Sequence, residues 1–414
     1  MPKIIARPVR QALTCGALIL SCFSTASIAD MEIAAPGLRF SGFGTLGAAW
    51  FSSHDADYTT SQPDGPGRTR RTAYNLDSVL AGQLDWQFSP ALAASLQAIA
   101  LERPNGHWSP FVRLANLRYA VNDSTHVRAG LLPNVTMLAS EYRWVNFGNP
   151  WPRLPSEVYR LFGQNDAINY GADLSVVTHH DFGRLDWNVS ALETRSHSAR
   201  SNASGVDAIT SRTLNATLTW ERGNWKTKLT LTPWGTFEND PLQSRALRAT
   251  LGTLDPANAE YYDDRGKQQT VGLSLAYDSN DWLMIGEIVA RRYRSSAYRE
   301  PSAGYLTVGH HFGKALPYVT LARLRSSIPD NGPNANPASA ATLAAFYRGQ
   351  QNSQSSLALG MAYDVSPGVQ IKTQLDFIRP DAGSNGLLFN HAPTYNRASP
   401  PIERLFSLSV DFIF

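Results

Sequence analysis

Apolar and polar residues alternate in segment after segment of this chain, so most of it is suited to extended strands with two unlike faces. From Asn75 to Phe88, Leu76, Leu80, Gly82, Leu84, Trp86 and Phe88 fall on one side, opposite Asn75, Asp77, Gln83, Asp85 and Gln87. Leu185, Trp187, Val189 and Ala191 oppose Asp186, Asn188 and Ser190, and the same holds for Leu214 to Trp220 and Val369 to Phe377. Beyond residue 29 no apolar run approaches the roughly 18 residues of a membrane-crossing helix. The longest, Leu92 to Leu101, is too short and contains Ser95 and Gln97. The expected class is all-β.

The first 29 residues read differently. Lys3, Arg7 and Arg10 precede an apolar stretch, Ala12 to Phe23, and Ser27-Ile28-Ala29 has the small-residue spacing of a cleavage site, so residues 1–29 are expected to be a secretory signal peptide. Leu20-Ser21-Cys22 offers a weaker, lipoprotein-type alternative. Removal of the leader takes three of the 37 basic residues and none of the 34 acidic ones, which leaves a neutral chain. A neutral chain lacks the basic excess that nucleic acid demands. Both cysteines, Cys15 and Cys22, lie in the leader, so residues 30–414 carry no thiol for a disulfide, a zinc-thiolate site or an iron–sulfur centre.

A soluble sandwich alternates as well, and three further features favour a membrane barrel. Aromatic residues sit near strand ends, at Trp50, Trp86, Phe88, Trp187, Trp220, Trp225, Tyr277, Trp282 and Phe312, as in the girdles at the two membrane interfaces. Tight turns such as Asn122-Asp123-Ser124 and Phe312-Gly313-Lys314 alternate with long polar loops. The last residues, Phe406 to Phe414, form an alternating strand with an aromatic end. About sixteen strands can be read, the first Leu38 to Phe51 and the last Ile402 to Phe414. The expectation is a transmembrane antiparallel β-barrel of about 16 strands, a single domain over 30–414, with short periplasmic turns and long extracellular loops. Sixteen strands enclose an aqueous lumen, whereas eight are filled by their own side chains.

The Gly-rich opening strand Phe40-Ser-Gly-Phe-Gly-Thr-Leu-Gly47, the even strand count, the long third loop and the terminal Phe414 together resemble the Gram-negative outer-membrane porin family. That resemblance implies a homotrimer in outer-membrane lipid, with the third loop folded into the lumen as a constriction.

Little else in the sequence suggests chemistry. Gly42-Phe-Gly44-Thr-Leu-Gly47 has dinucleotide-fingerprint spacing but lies inside a strand with no helix after it. His179-His180 and His310-His311 are adjacent strand residues and point to opposite faces, which suits interface histidines better than metal ligands. No catalytic spacing stands out, so no enzyme, cofactor or metal is expected.

The segment Pro133 to Asp166 is the most informative. It is far longer than a hairpin needs and carries an apolar load, including Met137, Leu138, Tyr142, Trp144, Trp151, Leu154, Val158 and Phe162, that calls for packing against something. It is expected to fold into the lumen as the constriction; the alternatives are the outer mouth or a neighbouring subunit. Its charges Glu141, Arg143, Glu157, Arg160 and Asp166, with Arg118 and Arg128 on the lumen-facing parity of the fourth and fifth strands, are the candidate pore-lining residues. Arg118 and Arg128 facing the loop acids would set up a transverse field. Tyr142, Trp144 and Trp151 are candidates for stacking on a solute. The expected function is a water-filled channel for passive diffusion of small hydrophilic solutes and ions. A substrate-specific channel is the first alternative, and an outer-membrane enzyme or surface-binding barrel the second.

Overall fold

The computed structural model describes residues 31–32, 37–59, 65–103, 106–162, 167–199, 206–239, 242–259, 262, 265–294, 298–328 and 336–414. The expected leader, 1–29, and Asp166 lie outside the described residues. Sixteen strands form one antiparallel sheet. They are β1 (Leu38–Phe51), β2 (Val79–Gln87), β3 (Leu92–Leu101), β4 (Phe111–Asn122), β5 (Thr125–Leu132), β6 (Ile168–His180), β7 (Gly183–Ala199) and β8 (Val206–Arg222). The second half comprises β9 (Trp225–Asn239), β10 (Arg265–Asp278), β11 (Trp282–Arg294), β12 (Glu300–His310), β13 (Ala315–Ser327), β14 (Gln354–Ser366), β15 (Val369–Pro380) and β16 (Glu403–Ile413).

Each strand pairs with the next, and β1 closes the ring by pairing with β16 from Phe43↔Ile413 to Phe51↔Leu405. Closure leaves no ladder edge for lipid to meet unsatisfied. One end of the barrel is made of tight turns. Gly223 and Gly313 take the left-handed conformation there, at φ 58° and 63°, which a side chain would disfavour. The opposite end carries the long loops. The outer wall is an apolar belt, with Leu80, Leu117, Ile288 and Leu321 all more than half exposed, flanked near the tight-turn end by Trp86, Phe88, Trp282 and Phe312. Among the described residues no helix is long and apolar enough to cross a membrane; the strands do the crossing.

The described parts of the long loops are folded. Loop 52–78 and loop 381–402 pair through Asp57–Tyr58 and Leu388–Phe389, over an apolar cluster that includes Phe51, Tyr58, Ile378, Tyr395 and Leu405. Helices α2 (Leu242–Leu254) and α3 (Pro337–Gly349), from two other loops, pack through Leu251, Leu343 and Tyr347. Asp255 joins them by accepting hydrogen bonds from Tyr262 Oη at 3.0 Å and Ser339 Oγ at 3.1 Å. The remaining α-helix among the described residues, α1 (Ser156–Phe162), belongs to the third loop.

Candidate functional site

The third loop lies inside the barrel. Met137, Leu138, Tyr142, Trp151, Leu154, Val158, Tyr159 and Phe162 form one buried cluster with inward-facing Leu283, Ile285, Val289, Tyr305, Tyr318 and Leu324 of β11 to β13. Trp144 and Val145 pack on a second inward apolar patch, Phe43, Val79, Ala81, Ile99 and Leu101 of β1 to β3. The apolar load of the loop is therefore buried against apolar stretches of lumen wall.

Polar anchors fix its course. Glu287 of β11 accepts from the Leu138 amide at 2.9 Å, Ser274 Oγ at 2.7 Å, Tyr305 Oη at 2.7 Å and Tyr159 Oη. Burial, reinforced by that carboxylate, raises the Tyr159 phenol well above its ordinary value and keeps it a donor. Arg153 donates to both oxygens of Asp77, at 2.8 and 2.5 Å, and to Ser407 Oγ at 2.7 Å, with Asp376 at 3.5 Å. Burial opposes the Arg153 charge, but Asp77 outweighs it and holds the guanidinium pKa above its usual value. Lys372, fully buried, pairs with Asp411 at 2.8 Å and donates to the carbonyls of Asn146 and Trp151. Lys228 reaches the Met137 carbonyl at 3.3 Å.

The structure divides the candidate residues into two groups. Arg118 and Arg128 stand directly opposite each other on β4 and β5. Arg128 forms a two-pronged ion pair with Asp173 on β6, with Nε 3.0 Å from Oδ1, and lies 3.8 Å from Glu141 of the loop. Its main partner is thus a wall carboxylate on the next strand, with the loop acid second. Arg143 stacks on Trp144 at 5.2 Å and donates to the Tyr159 carbonyl at 3.4 Å. These residues, with Glu141, form one cluster on the β4–β5 side.

Glu157 and Arg160 belong elsewhere. Glu157 accepts from Gln354 Nε2 at 2.8 Å and Ser356 Oγ at 2.7 Å on β14, and is buried. Arg160 donates to the Leu387 carbonyl at 2.5 Å and lies 4.3 Å over the Phe389 ring; burial pushes its pKa down to about 10. Both tie the loop to the wall and to loop 381–402. Asp166 is outside the described residues.

The aromatic candidates are packed. Trp151 is 2% exposed, donates from Nε1 to Thr307 and Thr320 at 3.1 and 3.0 Å, and meets Tyr305 edge-on at 5.7 Å. Tyr142 is buried and its phenol is raised by burial. The expected solute stacking does not fit Tyr142 or Trp151, whose rings are taken up by the loop's own packing. Trp144 is half-buried.

Sequence reading missed Arg113. Alternation counted back from Arg118 sends position 113 toward lipid. The β3–β4 register instead slips between Gln97↔Leu114 and Ala98↔Val112, leaving Arg113 as the extra residue of a bulge. The bulge turns Val112 outward and Arg113 inward, where it is buried and donates to Gln97 Oε1 at 3.4 Å.

Three of the paired histidines pack on neighbouring side chains near the tight-turn end. His180 stacks on Phe182 at 4.9 Å, His310 lies against Trp282 and Phe312, and His311 contacts Asp278 at 3.2 Å. Among the described residues no group of three or more His, Cys, Asp or Glu is placed to hold a metal.

No protein-family model matches the sequence, and no curated protein matches it either. Its fold does match solved structures. The anion-selective porin from Comamonas acidovorans superposes with a TM-score of 0.54 at 10% identity, over 91% of this chain and 99% of that one. The outer-membrane channel DcaP of Acinetobacter baumannii gives 0.55 at 12% identity, over 94% and 100%. OmpF of Salmonella typhi gives 0.51 at 12% identity, over 93% and 100%. With its closed ring, apolar belt and inward third loop, the chain has the sixteen-stranded fold of the outer-membrane porins.

Proposed function

We propose that this protein is a water-filled outer-membrane channel through which small hydrophilic solutes pass down their gradients, with a preference for anions. The carrying observation is the charge cluster beside the third loop. Arg113, Arg118 and Arg128 gather there against Glu141 and Asp173, which leaves a positive excess beside the constriction. Field lines concentrate in a narrow, low-dielectric lumen, so a small excess biases ion entry. The loop packs on the walls of β1–β3 and β11–β13, while inward-facing Arg118, Asp186 and Lys226 stay half-exposed and line the route past it. Trimeric assembly in outer-membrane lipid is part of the same reading, as in the trimer form in which OmpT of Vibrio cholerae was solved, at a TM-score of 0.53 and 7% identity over 91% of this chain and 99% of that one. No catalytic residue or cofactor enters the account.

The test is liposome swelling with uncharged, anionic and cationic solutes of matched size. Swelling that falls with solute size and runs faster for anions supports the reading. Swelling with one solute alone would favour a substrate-specific channel.

A further inference from the structure

A groove of about 640 Å³ opens on the lipid-facing wall across β10 to β13. Its floor is shallow because the outward positions Ala290, Ser302 and Gly304 are small, while Val271, Leu273, Ile288 and Leu321 stand up around it. Toward the long-loop end, the face that opens to the exterior in such barrels, its lining changes from aliphatic to basic, at Arg323 and Arg325. Arg325 stands opposite Ser302, and Arg323 opposite Gly304. Arg323 is held by Asp381, at 2.5 and 2.6 Å, and by Ser355 Oγ at 2.9 Å. Arg325 is exposed and has no hydrogen-bond or ion-pair partner among the described residues. Glu300, on the same face of β12, accepts from the Tyr293 amide at 3.0 Å and makes no ion pair among the described residues. Arg292, two residues beyond Ala290 on the same face of β11, adds another exposed guanidinium.

A dry aliphatic slot with unneutralised arginines at headgroup depth has the two parts of a lipid site. We propose that the groove holds an acyl chain of a phosphorylated lipid of the outer leaflet, with Arg325, flanked by Arg292, on its phosphate. The charge at the end of the slot selects this occupant. A zwitterionic lipid would gain the slot without the arginines, and a second copy of the barrel would bring its own apolar belt against exposed cations.

Native mass spectrometry of the protein purified in detergent, titrated with diphosphorylated lipid A or with phosphatidylcholine, tests the site. Lipid A should remain bound where phosphatidylcholine leaves. Arg325→Gln should weaken lipid A retention roughly fivefold, the effect of one interfacial cation. Arg325→Lys should restore most of it. Ser302→Phe, which fills the slot and leaves the arginines, should displace lipid A as well. Heat-modifiable gel mobility establishes that each variant is a folded barrel. Equal retention of the two lipids, or unchanged retention in both Arg325→Gln and Ser302→Phe, would overturn the proposal. A change of oligomeric mass in Ser302→Phe with lipid retention unaltered would also overturn it, by making the groove a contact between copies.

Discussion

Arg153, in the middle of the third loop, places Nε and Nη2 on the two carboxylate oxygens of Asp77, at 2.8 and 2.5 Å, and both side chains are almost wholly buried. The pair joins the loop to the wall beside β2. Removing one partner of a buried pair costs about 3–5 kcal/mol, because the other is left charged and unpaired. Asp77→Ala should therefore free the loop, raise mean conductance with added open-channel noise, and lower the temperature of the heat-modifiable gel transition. Asp77→Asn should do the same to a smaller extent, since it keeps a hydrogen-bond acceptor.

Glu287 is the second anchor, and it works as an acceptor for four donors. Glu287→Leu strands the Tyr159 and Tyr305 hydroxyls and the Leu138 amide, each at about 1–3 kcal/mol when buried without a partner. It should expose the third loop to limited proteolysis while the strands stay resistant. Glu287→Gln keeps an acceptor and should leave the loop largely protected.

The arginines beside Glu141 separate charge effects from structural ones. Arg118→Ala removes a lumen cation that has no acid partner among the described residues and should move the reversal potential toward cations. Arg128→Ala alone leaves Asp173 unpaired and should also destabilise the barrel. The double variant Arg118→Ala with Arg128→Ala should shift selectivity furthest and raise conductance. An unchanged reversal potential in that double variant would refute a selectivity role for the pair.

His391, in loop 381–402, lies against Tyr395 at 4.5 Å and is pushed down to about 4, chiefly by burial and then by Arg397. A base whose folded pKa is depressed binds its proton more readily once the loop opens. The loop's stability is therefore constant above pH 6.5, falls as pH drops from 6.5 to about 4, and levels off below that. Hydrogen exchange of residues 388–397 should quicken between pH 7 and pH 5, after correction for intrinsic rates. His391→Gln should remove that pH dependence.

The barrel was legible because lipid on one face and water or loop on the other enforce a period of two, as at Leu185 to Ala191. The pattern weakens where both faces are apolar. On β11, Trp282, Met284 and Ile288 face lipid while Leu283, Ile285 and Val289 face the third loop, so the strand reads as a nearly continuous apolar run. It vanishes where polar residues follow one another, as from Glu193 to Ser196. β7 and β8 continue as a paired ladder to Ala199↔Val206, past the apolar part, with Glu193 bridging Arg195 and Arg212. Backbone hydrogen bonds carry that extension, and they leave little trace in side-chain hydropathy.

The site was legible in its residues more than in its pairings. The apolar load between Pro133 and Asp166 pointed to a packed loop, and Arg118 and Arg128 had the right parity. The bulge that brings in Arg113 depends on register, which alternation along one strand does not reveal. Asp173 as partner of Arg128 likewise depends on which residues the β5–β6 ladder sets opposite each other. Which rings of the loop the packing takes up is not written in its composition: Trp151, a candidate for stacking on a solute, instead packs on Tyr305, Thr307 and Thr320.

Single-channel recording in a planar bilayer under a salt gradient tests the central claim most directly. An open channel with the Arg113–Arg118–Arg128 cluster beside its constriction should give discrete steps in plain salt, in groups of three, with an anion-favouring reversal potential. A barrel shown folded by its gel mobility that passes no current in plain salt would contradict the account.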